Sequence, residues 1–139
     1  MATPEMSDIT TNGIRVGATG YYMEEDSSPE DRQYKFGYTI VIVNVGEVPA
    51  QLVSRHWRII DGNGNEEHVR GPGVVGQTPR LEPGEVFKYA SGAQLRTAWG
   101  TMEGEYQFRR DNGEIFDAKI ERFYLRTEQL QNPRPTNKF

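Results

Sequence analysis

The stretch TMEGEYQFRRDNGEIFDAKIERF, residues 101–123, decides the fold prediction. Each half alternates apolar with polar side chains, which is typical of a β-strand with one face toward a core and one toward water. Between the halves, Asn112 and Gly113 supply the positive φ angles of a tight hairpin turn. The stretch therefore predicts a β-hairpin. Its core-facing positions are Met102, Gly104, Tyr106 and Phe108 in the first strand, and Phe116, Ala118 and Ile120 in the second.

The rest of the chain repeats this organisation of short strands and turns. Residues 34–46, YKFGYTIVIVNVG, are apolar on both faces through their middle and predict a central strand. Residues 50–60 predict another strand, which Asn63-Gly64 ends with a second hairpin turn. Further strands are predicted at residues 13–23 and 85–92. We therefore predict an all-β fold, an immunoglobulin-like or fibronectin type III-like β-sandwich of about seven to eight antiparallel strands.

Two positions support a sandwich of the immunoglobulin type. Such domains carry a Trp on the third strand and a Gly-x-Tyr-x-Cys run on a late strand, where the Tyr braces a corner and the Cys faces the core. Trp57 falls on the third predicted strand, and Gly104-x-Tyr106-x-Phe108 falls on a late one. Phe108 is expected to occupy the core position of the Cys.

Length and composition limit the classes of protein that fit. A chain of 139 residues without cysteine can form one domain with its own core, but no disulfide and no thiolate metal site. No run approaches the roughly 18 apolar residues of a membrane span, so we expect a cytoplasmic protein that does not contact the membrane. A net charge of −4 argues against nucleic-acid binding. Residues 1–8 are predicted to be flexible, and residues 126–139 to be a disordered tail.

The segment HVRGPGVVGQTPR, residues 68–80, contains the Gly-x-Gly-x-x-Gly spacing of a dinucleotide-binding loop. That function needs a helix after the last glycine, and Pro79 and Pro83 would break one. Two interpretations remain open: a simple turn between strands, or a loop whose backbone amides bind phosphate with help from flanking arginines. The candidate phosphate-binding residues are Gly71, Gly73, Gly76, Arg70 and Arg80.

The candidate metal ligands are His56 and His68, the only histidines. The alternation that buries Trp57 points His56 to the opposite face, and His68 falls on a polar strand, so two solvated or partly packed histidines are favoured over a metal site. No Gly-x-Ser-x-Gly motif or other group of catalytic residues is present. We therefore predict no enzymatic activity and no cofactor.

Three segments together resemble the bacterial ApaG family: SSPEDRQYKFGYTIVIVNVG, RHWRIIDGNGNEEHVRGPGVVGQTPRLEPGE and YASGAQLRTAWGTMEGEYQF. The similarity runs from about Ile9 to Leu125, which makes residues 9–125 the ApaG domain. The resemblance implies a fibronectin type III-like sandwich and a link to cobalt resistance and magnesium efflux. It also implies a gene that neighbours a diadenosine tetraphosphatase, and relatives within eukaryotic proteins where the domain binds protein. No enzymatic activity is established for the family.

Two functional hypotheses follow. The first is a non-catalytic binding module that engages an unidentified protein partner in a pathway of divalent cation tolerance. The second is a sensor of pyrophosphate or a dinucleoside polyphosphate that binds through the glycine-rich loop. Direct metal binding by His56 or His68 is a third, less supported hypothesis, and the sequence does not predict an oligomeric state.

Overall fold

Two antiparallel β-sheets pack face to face in the computed structural model, which describes residues 6–128. The strands are β1 (Met6–Thr11), β2 (Ile14–Tyr22), β3 (Tyr34–Asn44), β4 (Ala50–Asp61), β5 (Glu66–Pro72), β6 (Arg80–Leu81), β7 (Val86–Leu95), β8 (Trp99–Arg110) and β9 (Ile115–Arg126). The first sheet has the order β1-β2-β3-β7, and the second has the order β5-β4-β8-β9 with β6 also paired to β4. The predicted β-sandwich is confirmed. Short 3-10 helices, Glu24–Asp26 and Pro29–Asp31, lie in the connection from β2 to β3.

The first strand departs from the sequence-based prediction. β1 begins at Met6 and pairs with β2 along its length, so the prediction of a flexible segment is wrong for residues 6–8. The reason is the turn at Asn12 and Gly13, whose φ angles of 49° and 85° suit a two-residue hairpin loop. This turn returns the chain directly and gives β1 a partner. Residues 1–5 lie outside the described residues.

The number of strands and the C-terminal boundary of the domain also differ from the sequence-based prediction. The described residues form nine strands instead of the seven to eight expected, and the strands without a counterpart in the prediction are β1 and the two-residue β6. Arg126 pairs with Trp99, so β9 extends one residue into the segment predicted to be a disordered tail. Residues 129–139 of that segment lie outside the described residues.

Both predicted Asn-Gly hairpins form, but not with two-residue turns. Only the glycines, Gly64 and Gly113, have positive φ, at 86° and 90°, so the prediction of a positive φ at Asn112 is wrong. The Gly113 N–H donates to the Arg110 carbonyl at 2.9 Å, and the Arg110 N–H donates to the Glu114 carbonyl at 2.8 Å. The connection from β4 to β5 has the same hydrogen-bond pattern. Each loop therefore has one more residue than predicted, and a single left-handed glycine closes it.

The core lies between the sheets, with Trp57 near its centre at 2% exposure. Its ring makes edge contacts with rings from both sheets: Tyr38, Tyr106 and Phe123. Phe108 is fully buried, which confirms its predicted core position. Tyr106 does not brace a corner. Its hydroxyl lies 2.5 Å from that of Tyr89, so it links β8 to β7 of the opposite sheet.

The two sides of the sandwich are closed in different ways. On one side β9 packs directly against β1 and β2. On the other side the outer strands are β7 and β5, and the chain beyond β5 folds over the gap and buries Val74. This second side holds the candidate site. No helix within residues 6–128 is long and apolar enough to cross a membrane.

Candidate binding site beneath the glycine-rich loop

The predicted phosphate-binding residues do not converge on one point. Arg70 on β5 pairs with His56 of β4, whereas Arg80 on β6 pairs with Gln51. These partners are five positions apart along β4, or roughly 16 Å at the rise of an extended strand. The two arginines therefore flank different ends of the segment.

The two arginines also differ in their partners. Arg80 donates to Asp111 at 2.6 Å and to Glu82, and these carboxylates hold the pKa of its guanidinium above the ordinary value. Arg70 is exposed, and no hydrogen bond or ion pair of its side chain is found within residues 6–128. Arg70 is thus the freer of the two to meet an anion.

The loop of residues 71–77, called here the glycine-rich loop, is held by its own backbone. The Gly73 N–H donates to the Val53 carbonyl at 3.0 Å, and Val74 and Gln77 exchange two hydrogen bonds of 2.8 Å around a tight turn. Gly73 has a φ of 61°, and a Cβ there would lie 2.3 Å from the Gln77 carbonyl oxygen. The amides of Gly73 and Val74 are therefore already committed within the protein.

The loop carbonyls hold an arginine that the sequence analysis did not select. Arg55 Nη1 donates to the carbonyls of Pro72 and Gly73, at 3.0 and 2.9 Å. Gly71 lies opposite Arg55 in the register, and a Cβ at Gly71 would come within 3.0 Å of the same nitrogen. Two glycines of the motif thus have a clear local purpose: Gly71 leaves space for the guanidinium, and Gly73 allows the tight turn that brings its carbonyl to Arg55.

A cavity of about 320 Å³ opens beside Arg55. We call it the Arg55 pocket, and its walls include Tyr38, Trp57, Val69, Val74, Tyr89 and Met102. Its rim is formed by exposed residues of the outer strand β7, Ser91 and Gly92. The size and the mainly apolar walls are typical of ligand pockets, in which a few polar groups orient the ligand.

The electrostatics of the pocket favour an anion. Burial raises the pKa values of the Tyr38 and Tyr89 hydroxyls, so both stay neutral and can donate a hydrogen bond. Among residues 6–128, Arg55 is the only charged residue of the lining, and no carboxylate or histidine of this part lines the pocket. The pocket thus combines one permanent positive charge with neutral donors, and it lacks a residue suited to act as a general base.

The two histidines meet on the outer face of the second sheet, away from Trp57 as predicted. His56 Nε2 lies 2.8 Å from His68 Nδ1, His56 Nδ1 lies 2.6 Å from Glu105 Oε2, and His68 Nε2 lies 2.7 Å from Glu66 Oε2. The sequence analysis, which favoured two solvated or partly packed histidines, did not predict this direct contact. Within residues 6–128, no group of three or more His, Cys, Asp or Glu side chains has a metal-binding arrangement.

Comparisons with known proteins agree with the fold. The family profile described as the ApaG domain matches residues 24–110. Protein ApaG of Dechloromonas aromatica (strain RCB) is 52% identical over 120 residues, which cover 86% of this chain and 94% of that protein. Protein ApaG of Agrobacterium fabrum (strain C58) is 46% identical over 115 residues, covering 83% and 88%. The chain belongs to the ApaG family.

A solved structure supports ApaG membership at the level of the fold. The crystal structure of a Bordetella pertussis protein described as ApaA aligns with a TM-score of 0.81 at 46% identity, over 84% of this chain and 95% of that one. The family resemblance drawn from the sequence is confirmed. All residues that line the Arg55 pocket lie within the part matched by the ApaG profile, whereas β9 lies beyond it.

One sequence feature could have identified Arg55 as a residue of the candidate site. Arg55 lies two positions before Trp57 on β4, so the alternation that buries Trp57 also turns Arg55 inward. A permanently charged side chain at an inward-facing position of a strand is uncommon and calls for a partner. The Gly-x-Gly-x-x-Gly motif pointed to the flanking Arg70 and Arg80 instead.

Proposed function

We propose that this ApaG-family domain is a non-catalytic binding module whose Arg55 pocket recognises a carboxylate of a protein partner. The observation that carries the proposal is the partly buried Arg55 guanidinium, which is held by two carbonyls and has no carboxylate partner within residues 6–128. A buried charge without a counter-ion is costly, and an anionic ligand that pairs with it recovers part of that cost.

Three other arginines provide a contrast. Arg58, Arg80 and Arg122 each donate to a glutamate or aspartate of the same sheet or of an adjacent loop. Arg55 is oriented by backbone acceptors instead, which fix the plane of the guanidinium but do not neutralise it. Such a fixed guanidinium is suited to bind the two oxygens of a carboxylate together.

The outer strand β7 supports a protein segment as the bearer of that carboxylate. β7 ends the first sheet, and its residues 90–92, Ala-Ser-Gly, are small and exposed beside the pocket rim. An extended segment added along β7 would direct alternate side chains toward the pocket. An acidic side chain at one of these positions, or a terminal carboxylate, would reach Arg55.

The second candidate ligand is a pyrophosphate or a dinucleoside polyphosphate, because Arg55 and Arg70 line one shallow depression of about 210 Å³ outside the pocket. Glu105 lines the same depression and opposes a highly charged anion. Polyphosphates carry several negative charges, and the apolar walls of the Arg55 pocket offer them one arginine. The geometry therefore favours a single carboxylate with an apolar body.

In this proposal, any contribution to cobalt resistance and magnesium efflux would be exerted through the bound partner. A partner in the cytoplasm is expected, in line with the absence of cysteine from the sequence. The partner itself is defined here by its chemistry, an extended segment with an acidic group flanked by apolar side chains.

The test is an NMR titration of the ¹⁵N-labelled chain with 3-phenylpropionate, its neutral amide, inorganic pyrophosphate and diadenosine tetraphosphate. The carboxylate should shift the amides of residues 72–75 and 91–93, and the neutral amide should do so at least tenfold more weakly. Arg55→Met should abolish these shifts, and the matched control Arg70→Gln should retain them.

A peptide-display selection then tests the protein partner. Sequences selected on the wild-type domain should carry an acidic residue among apolar ones, and Arg55→Met should not enrich them. If diadenosine tetraphosphate binds more tightly than the carboxylate and Arg70→Gln weakens that binding, the polyphosphate becomes the favoured ligand and the carboxylate is rejected. No shift at residues 72–75 with any probe would refute both.

A further inference from the structure

A pair of histidines lies edge to edge on the outer face of the second sheet, apart from the Arg55 pocket. The planes of His56 and His68 differ by 10° and their ring centres are 5.0 Å apart. Since the facing nitrogens, His56 Nε2 and His68 Nδ1, are only 2.8 Å apart, the rings meet at their edges and not through their faces. The in-plane hydrogen or lone pair of each nitrogen therefore points at the other nitrogen across this gap.

The outer nitrogens of the pair are fixed by carboxylates. His56 Nδ1 lies 2.6 Å from Glu105 Oε2, and His68 Nε2 lies 2.7 Å from Glu66 Oε2. A carboxylate only accepts hydrogen bonds, so each outer nitrogen carries the hydrogen. A neutral imidazole has one N–H, which leaves both facing nitrogens with lone pairs. Two lone pairs at 2.8 Å repel, so the contact needs either a proton shared between the rings, with one ring an imidazolium, or a metal cation that both nitrogens bind.

We propose that His56 and His68 form a two-histidine binding site for a borderline divalent cation such as Zn²⁺. Imidazole binds Zn²⁺ at about 2.0–2.1 Å, and two such bonds at a tetrahedral angle separate the nitrogens by about 3.3 Å. The observed 2.8 Å has to widen by about half an ångström, and because the two nitrogens face each other in line, each ring also has to turn by roughly 35° to direct its nitrogen at a shared metal. Water would complete the coordination.

The carboxylates around the pair support a metal site. Metal-bound histidines usually donate their other N–H to a carboxylate, which orients the ring and makes the bound nitrogen a better ligand. Glu105 and Glu66 occupy these positions here. Glu66 is in turn held by Arg58 at 2.8 Å, so its position does not depend on a metal.

The backbone around His56 is closely packed, which favours a site of defined shape. β8 approaches β4 so closely that a Cβ at Gly104 would lie 2.0 Å from the His56 carbonyl oxygen. Arg70, directly opposite His56 in the register, adds a positive charge nearby and opposes a cation. Mg²⁺ prefers oxygen ligands, so the imidazole pair should select Zn²⁺ over Mg²⁺.

The test is isothermal titration of the chain, purified without a histidine tag, with zinc chloride and with magnesium chloride. One Zn²⁺ should bind per chain, and Mg²⁺ should not compete. His56→Gln and His68→Gln should each lower the Zn²⁺ affinity at least tenfold, whereas Arg70→Gln should leave it unchanged or raise it. Glu105→Gln should weaken binding by about tenfold through its effect on His56.

A spectroscopic readout keeps the result independent of stability. In ¹⁵N spectra of the imidazoles, Zn²⁺ should shift His56 Nε2 and His68 Nδ1, and it should leave the two carboxylate-bonded nitrogens protonated. Amide spectra of each variant establish that the sheet remains folded. Wild-type Zn²⁺ affinity in both histidine variants, or no binding at millimolar Zn²⁺, would overturn the proposal.

Discussion

Arginine side chains have different partners on the two faces of β4. On the inner face, Arg55 lies beside Trp57 in the pocket and donates to backbone carbonyls. On the outer face of the same strand, Arg58 donates to Glu66 at 2.8 Å and to Glu103 at 3.3 Å. Exposed ion pairs add little stability, whereas even a partly buried guanidinium without a counter-ion has lost some of its hydration without gaining an opposite charge. The inner face therefore holds the fold together and carries the proposed binding site, and the outer face carries the Arg58 ion pairs at little cost.

The largest effect is expected in the apolar part of the inner face. Phe108→Ala should lower the free energy of unfolding by about 3–5 kcal/mol, because the ring is fully buried and its removal leaves a cavity. Urea unfolding measures this. The control is Phe116→Ala, which removes the half-buried ring that stacks on Phe108 and should cost less. Equal losses in the two variants would contradict the inner-face core position assigned to Phe108.

The next largest effect is expected at Gly104, where the backbone of β8 approaches that of β4 closely. Gly104→Ala should destabilise the domain by about 1–3 kcal/mol, because its Cβ would lie 2.0 Å from the His56 carbonyl oxygen. The matched control is Gly17→Ala, also within a strand, where a Cβ would have no neighbour closer than 3.9 Å. A thermal midpoint lowered as much by Gly17→Ala as by Gly104→Ala would mean that strand conformation, and not this close approach, sets the effect.

The charge on the inner face should matter more for binding than for folding. Arg55→Met keeps most of the apolar stem and removes an unpaired charge, so the free energy of unfolding should change by less than about 1 kcal/mol. The same variant should lose the response to 3-phenylpropionate. Denaturant unfolding and the NMR titration measure the two quantities on one sample. A loss above about 2 kcal/mol would show that Arg55 mainly supports the loop.

The sequence predicts the inner apolar face better than the charged sites. Alternation along β8 and β9 identifies Phe108 and its neighbours, because each strand has one buried face and local pattern alone determines which it is. β1 was not predicted because its sequence, MSDITT, scarcely alternates in polarity. It is recognisable only from the turn at Asn12-Gly13.

The sites depend on distances that no local pattern contains. Arg55 can be predicted to face inward, but its acceptors belong to a loop whose return is fixed by the pairing of Val74 with Gln77. The contact between His56 and His68 depends on the register of β5 against β4, which the length of their connecting loop determines. A loop shorter by one residue, as the Asn-Gly pair suggested, would move His68 to the other face.

The smallest effect concerns the outer face and its dependence on pH. Hydrogen bonds from Arg58, and then from His68, lower the pKa of Glu66 from its ordinary 4.5 to about 2. The ionised Glu66 therefore contributes stability above pH 4.5, and this contribution is lost as the pH falls from 4.5 toward 2. Glu66→Gln should lower the thermal midpoint slightly at pH 6, and the difference from wild type should vanish near pH 2.

The control is Glu67→Gln, an exposed neighbour for which no ion pair is found within residues 6–128 and which should show no such convergence. Since exposed pairs are weak, a pH-dependent difference as large as the loss in Phe108→Ala would contradict the contrast between the two faces.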